Sequence, residues 1–449
     1  MAMDMTRGPA VRSMLRFAVP MVLGNLLQQC YNIADTLIVG KFLGPDTLAA
    51  VGSSFTLMTF LTSILLGLCM GSGTLFSIRF GQRDQRGLQE AVCASFLLIL
   101  ALTLVLNLAV FLCLDGIKWF MRVPDPVWGH MRAYLWVIFC GIFATFLYNY
   151  FASLLRALGN SVTPLVFLGA SALLNIGLDL WFVLGLRWGP AGAAWATVIA
   201  QYVSGVGIAI YSLLRLPCLK MTRAQRRVGW NCVRQIASFS VLTCLQQSVM
   251  NLGILLVQGI VNSFGPAVMA AFAAAVKIDA FAYMPVQDFG NAFSTYTAQN
   301  YGAGQRRRIQ AGFRGAALAA LVFCLGVSGL VCLFAPQLMG LFVDPAETEI
   351  IAQGVRYLRI EGAFYWGIGF LFLLYGLYRA LGRPGMSVVL TVVSLGLRVA
   401  LAHSLSAVTS IGVTGIWWSV PIGWVLADLA GFGYYFIRRK KLLPGFFQE

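Results

Sequence analysis

Two carboxylates lie inside long apolar runs of this chain. Asp35 falls within "NLLQQCYNIADTLIVGKFLG" at 25–44, and Asp179 ends "LNIGLD" at 174–179. An acid in hydrocarbon costs about 2.5–3.5 kcal/mol even on lenient insertion scales, so each needs a chemical reason. Asn25, Gln28, Asn32 and Asp35 recur at steps of three, four and three, which puts them on one helical face. Asn175 and Asp179 are four apart and share another face, and Thr197 offers a hydroxyl further along. Two acids with an amide and a hydroxyl can hold a proton or a small cation by oxygen coordination. The competing reading is that the polar groups only hydrogen-bond helices to one another. Amides and hydroxyls suffice for that, without the cost of a carboxylate.

Other chemistry is poorly represented. His130 and His403 have no Cys or acid neighbours at ligand spacing, and none of the ten cysteines sits in a CxxC. No metal centre is expected beyond Na⁺ at the acid site, and no cofactor. No G-x-x-x-x-G-K-[ST] loop is present to cradle a nucleotide phosphate, and no nucleophile–base set stands out, so an enzyme is not expected.

The elements that must position these groups follow from composition. The chain has 449 residues, 59% hydrophobic and 11% charged, against about 25% charged in soluble globular chains. The fold class is therefore an all-α polytopic membrane protein, with the lipid bilayer as its partner. A spanning helix needs about 20 mostly apolar residues. That rule gives twelve, at 15–40, 48–78, 89–114, 131–155, 163–186, 190–214, 235–263, 267–298, 312–342, 352–378, 387–409 and 412–437. The net charge of +16 is dispersed among these spans, so no nucleic acid is expected. With twelve spans, one set of loops and tails carries 23 Lys and Arg and the other carries 7. The positive-inside rule then places both termini and the 215–234 loop in the cytoplasm, in the inner (plasma) membrane. The expected division is an N-terminal six-helix lobe at 1–214, a linker loop at 215–234, a C-terminal lobe at 235–437 and a basic tail at 438–449.

The halves repeat. "FLGPDTLAA" at 42–50 answers "SFGPAVMAA" at 263–271, and "RALG" at 156–159 recurs at 379–382. Offsets of 221 and 223 hold over about 150 residues, which predicts two parallel six-helix lobes about a pseudo-twofold axis and a central cleft. The acids are not repeated. Asp35 maps onto "GILL" at 253–256, Asp179 onto Ala402, Asn175 onto Arg398 and Thr197 onto Val420. A requirement of the shared scaffold would be expected in both copies, so the polar set marks a function of the first half. The second half has its own polar faces: Gln247 and Asn251 on span 7, Met284, Asp288 and Asn291 on span 8, and Glu361 with Tyr365 on span 10. With Asn32, these are the candidates for a substrate path.

The chain resembles the multidrug and toxic compound extrusion transporters over about residues 12–437. The resemblance rests on "PMVLGNLLQQCYNIADTLIVGKFLG", "RALGNSVTP", "LNIGLD", "GAAWATVIAQ", "AQNYGAG" and "GVTGIWWSVPIGW" in that order and spacing. It implies efflux of cationic or amphipathic drugs by alternating access, in exchange for inward H⁺ or Na⁺. The first-lobe cation site implied by the family corresponds to Asp35, Asn175, Asp179 and Thr197. Some branches have a glutamate on span 7 where this chain has Gln246 and Gln247, so a second-lobe sodium site of that type is not expected. A monomer is the expected working unit. The alternative function is a flippase for a lipid-linked precursor. Its anionic headgroup would call for several cations in the cleft, and only Lys277 and Arg398 lie well inside spans, the other cations falling towards span ends or in loops.

Overall fold

In hydrocarbon every backbone N–H and C=O must be satisfied within the protein, which restricts an α-rich chain of this composition to helices. The computed structural model describes residues 3–43, 45–121, 125–220, 228–408 and 412–442, and contains no strand among them. The first half runs α1 (Ala10–Leu43), α2 (Pro45–Gly81), α3 (Gln85–Leu112), α4 (Leu114–Met121), α5 (Asp125–Phe139), α6 (Ile142–Ala157), α7 (Val162–Asp179) and α8 (Gly189–Arg215). The second half runs α9 (Trp230–Asn262), α10 (Pro266–Gly302), α11 (Arg306–Gly340), α12 (Thr348–Gly362), α13 (Tyr365–Ala380), α14 (Pro384–Ser406) and α15 (Val413–Leu442). Ten helices are long and apolar enough to cross a membrane, and two bent pairs raise the number to twelve if each pair is one span. Arg223, Arg226 and Arg227 of the basic loop, and residues 443–449 of the tail, lie outside the described residues.

The bent pairs are where the fold departs from unbroken spans. The chain turns by 46° between the helices ending at Phe139 and starting at Ile142, and by 51° between Gly362 and Tyr365. The breaks fall at 140–141 and 363–364, the same place in each repeat. At the first, a Cβ on Gly141 would lie 2.3 Å from the movable Gln201 side-chain oxygen and 3.1 Å from the Ile138 carbonyl oxygen, so glycine eases the close approach of α8. A third irregularity follows Asp179 directly: α7 ends in a π-helical turn, Leu180–Gly185, before α8 begins.

The chain forms two compact units. The first holds Met1–Met3 and Val19–Cys244, the second Asp4–Ala18 and Leu245–Glu449. Helices α1 and α9 thus each begin in one unit and end in the other. Within the first unit, α9 enters through close backbone packing on α2. A Cβ on Gly71 would meet the Phe239 carbonyl oxygen at 2.3 Å, one on Gly67 would meet the Cys244 Cα at 2.5 Å, and the Ser72 and Ser240 hydroxyls bond at 2.7 Å. The core beside it is aromatic, with Phe96, Phe146 and Phe151 packed round Tyr150. The Tyr150 hydroxyl donates to the Val92 carbonyl at 2.7 Å. Within the second unit, the segment before α1 is anchored by its backbone. The Met5 N–H donates to the Gln299 side chain at 3.1 Å, and Arg308 donates to the Met5 and Gly8 carbonyls at 3.2 and 2.9 Å. On α3, Leu104, Leu108 and Leu112 stand exposed at helical spacing, as a lipid-facing stripe would.

Candidate functional site

In the first unit, α1, α7 and α8 bring Asp35, Asn175, Asp179 and Thr197 into one buried locality. Asp179 is fully buried and Asn175 nearly so, while Asp35 is half-buried. The Asn175 amide nitrogen donates to the Thr197 hydroxyl oxygen at 3.3 Å, and that hydroxyl donates to the Ala193 carbonyl at 3.1 Å. Asp35 and Asp179 lie close enough to feel each other's charge. Four acceptor atoms are left buried with no donor: Asp35 Oδ1, Asn175 Oδ1 and both carboxyl oxygens of Asp179. Buried acceptors are nearly always satisfied in native proteins, and leaving one unmade costs about 1–3 kcal/mol. Oxygens gathered round two acids lack a positive charge. A proton or a small cation would supply it, and a donor set of two carboxylates and an amide carbonyl could take Na⁺ as well as H⁺.

Two tyrosines join this site. Tyr31 hydrogen-bonds Gln28, and both Tyr31 and Tyr134 of α5 lie within electrostatic range of the two acids. Tyr31 was legible, because it stands four residues before Asp35 on the same helical face. Tyr134 carried no such signal among the chain's fifteen tyrosines. Asn32 lies on α1 in this unit, half-buried, its carbonyl accepting from the Thr36 hydroxyl at 2.8 Å.

The other candidate residues belong to the second unit, where they divide. Glu361 and Tyr365 flank the break between α12 and α13 and meet Asp279 of α10, to which the Tyr365 hydroxyl donates. Tyr357 and Arg398 crowd the same carboxyls, so the cluster has two acids and one guanidinium, all buried. Trp417 closes it, stacked on Phe272 with ring centroids 5.6 Å apart and met edge-on by Tyr357 at 4.9 Å. Asp279, twelve residues into the span read at 267–298, could have been grouped with Glu361 only by knowing where span 10 bends. Asn291 is held elsewhere: Arg379 of the second "RALG" donates to it at 3.2 Å and to Ser294 at 3.4 Å. Met284 and Asp288 are buried on α10, and Gln247 and Asn251 are half-buried on α9. Among the described residues no group of three or more His, Cys, Asp or Glu could hold a metal ion.

Comparison with known proteins places this architecture. The MatE family model matches twice, over residues 20–181 and 243–403, so the repeat read from the sequence is recovered as two copies of one family unit. The chain is 29% identical over its whole length to the "Probable multidrug resistance protein YpnP" of Bacillus subtilis, itself covered completely. It is 28% identical to the "Probable multidrug resistance protein YoeA" of the same organism, over 97% of this chain and 96% of that one. A solved structure described as an outward-facing multidrug resistance MATE family transporter superposes with a TM-score of 0.91 at 25% identity, covering 98% of each chain. The fold is that of a multi-pass membrane transporter. The chain belongs to the MatE family, the multidrug and toxic compound extrusion transporters, whose members are transporters and not enzymes.

Proposed function

We propose that this protein exports cationic or amphipathic drugs across the inner membrane by alternating access, driven by H⁺ or Na⁺ entering through the Asp35–Asp179 site. The single observation that supports this most is the set of four buried acceptor oxygens without a donor, shared by Asp35, Asn175 and Asp179. A structural cluster would satisfy such atoms from neighbouring helices. A transport site leaves them for the ion. The relatives named as multidrug resistance proteins support the drug class. The candidate substrate path, Asn32, Gln247, Asn251, Met284, Asp288, Asn291, Glu361 and Tyr365, is rich in amides and acids, which suits cations. Little fixed positive charge is available to an anionic headgroup, since Arg398 is surrounded by acids. Both termini and the 215–234 loop face the cytoplasm in this reading, and the monomer is the working unit.

Coupling requires that ion and drug alter each other's affinity by the same factor. Asp35→Asn and Asp179→Asn keep side-chain shape and remove the charge. In proteoliposomes with independently imposed pH and sodium gradients, each variant is expected to insert and bind a lipophilic monocation but not to concentrate it. Ala402→Ser, at the buried repeat-equivalent of Asp179, removes no charge and adds a hydroxyl that can bond its own helix, and is expected to transport within about two-fold of the parent. Uphill transport at the parental rate by both Asp→Asn variants would show that the acids are structural. Protection of cells against anions alone would favour the flippase.

A further inference from the structure

One more buried acid lies apart from both clusters. Asp428 is the one charged residue of α15 between Val413 and Ile437, and sits about 20 Å of helix from either end. It is 5% exposed, and both of its carboxyl oxygens are buried without a hydrogen-bond partner. Nothing in helix packing asks for an acid at this position, since a small residue would close the same contact.

The repeat shows that the space is made for it. Asp428 packs on α13, where a Cβ on Gly367 would lie 3.8 Å from its Oδ2 and 3.4 Å from the Trp424 Cβ. At the 223-residue offset these positions correspond to Gly205 on α8 and Ala144 on α6. There the glycine is on the other partner, and its Cβ would strike the Ala144 carbonyl oxygen at 2.6 Å. The first unit uses the glycine to bring two backbones together. The second moves the glycine across the contact and fills the opening with a carboxyl group.

The surroundings favour one ligand. From α13, Tyr375 comes close enough to feel the Asp428 charge, while Tyr378 donates to the Gly431 carbonyl at 2.6 Å. From α14, Arg398 packs its Cβ 3.5 Å from where a Cβ on Gly423 would be, more than a turn away, and faces Asp279 and Glu361; His403 is exposed. From α12, Tyr357 meets Trp417, Glu361 lies in the Asp279 cluster and Arg356 donates to Thr414 at 3.4 Å. No cation among these reaches Asp428. A metal ion needs several oxygens, and among the described residues no group of three or more His, Cys, Asp or Glu could hold one. A proton needs only the one.

We propose that Asp428 is a proton-binding site of the second unit, its carboxyl neutral while α13 and α15 are closed on it and losing the proton when that packing opens. It is separate from the Asp35–Asp179 site and does not depend on which ion drives export.

The test is occupancy at one residue. Dicyclohexylcarbodiimide enters hydrocarbon and modifies protonated carboxyls. With the full chain in proteoliposomes, peptide mass spectrometry is expected to find Asp428 modified at pH 6, with at least ten-fold less at pH 9. Replacing potassium by sodium should leave the profile unchanged. The same profile is expected in Asp35→Asn, so failure here and failure of the export reading are distinguishable. Absence of modification at every pH, a profile flat from pH 6 to 9, or loss of modification on adding sodium would each overturn the proposal. Asp428→Asn is expected to purify normally and to lose at least ten-fold in gradient-driven transport, whichever ion drives it, with Asp428→Glu recovering part of it. Parental transport by Asp428→Asn would mean a permanently neutral acid, and would also overturn it.

Discussion

The Asn175 amide nitrogen donates to the Thr197 hydroxyl at 3.3 Å, and this one bond orients the asparagine so that its carbonyl oxygen is buried beside two acids with no donor of its own. Thr197 in turn is tied to its own helix through the Ala193 carbonyl. The pair works as a hinge pin for an oxygen ligand. Its repeat-equivalents, Arg398 and Val420, have no such bond to make.

Thr197→Val keeps the volume and removes the acceptor. The Asn175 amide is then free to rotate, and its oxygen is no longer held for the ion. Folding should fall by about 1 kcal/mol, the net worth of one such bond. The half-saturating concentration of the coupling ion should rise several-fold while maximal transport is kept. Ion-titrated uptake into proteoliposomes measures both. An unchanged ion dependence would mean that Asn175 does not contribute its oxygen.

The Asp279–Glu361–Arg398 cluster should respond in graded fashion. Arg398→Leu strips the two acids of the guanidinium that faces them and is expected to lose about 3–5 kcal/mol, as when one partner of a buried pair is removed. Tyr365→Phe deletes one donor to Asp279 and is expected to lose about 1–3 kcal/mol. Melting temperatures of the purified variants should therefore fall in the order parent, Tyr365→Phe, Arg398→Leu. Equal melting for all three would contradict the cluster.

Gly71→Val drives a side chain into the Phe239 carbonyl, 2.3 Å from the position of the added Cβ. Overpacking of this kind costs about 1–3 kcal/mol, and here it falls on the seam between α2 and the start of α9. Gly259→Ala, on α9 where an added Cβ meets nothing within 4 Å, is expected to be neutral or stabilising. Yield and melting temperature of the two separate a packing effect from a general intolerance of α9 to substitution.

Orientation is open to a direct check. Gln225→Cys, in a background with all ten native cysteines replaced, is expected to resist a membrane-impermeant maleimide in intact cells and to react once the membrane is opened. Ready labelling from outside would reverse the topology inferred from the 23-to-7 distribution of Lys and Arg.

Much of this protein was determined by the sequence alone, because bilayer physics leaves so few choices. Runs of about 20 apolar residues must be helices, so the number of spans could be counted from residues. The repeat could be read from "RALG" at 156 and 379, and the first-unit acids stood out because the other half lacks them. Helical periodicity put Asn175 with Asp179, and Asp35 with Gln28 and Asn32, since those relations lie within one helix. Tertiary structure alone decided relations between helices. No spacing rule links Tyr134 to Asp35, Asp279 to Glu361, or Gly367 to Asp428. Those contacts depend on the bends at 140–141 and 363–364 and on which faces of different helices meet, and the energy that chooses them is close packing. The same holds for Gly67 and Gly71, a spacing too common in apolar helices to read, which acquires meaning only when α9 is laid against it. Periodicity reports one helix at a time, and a membrane site is made where several meet.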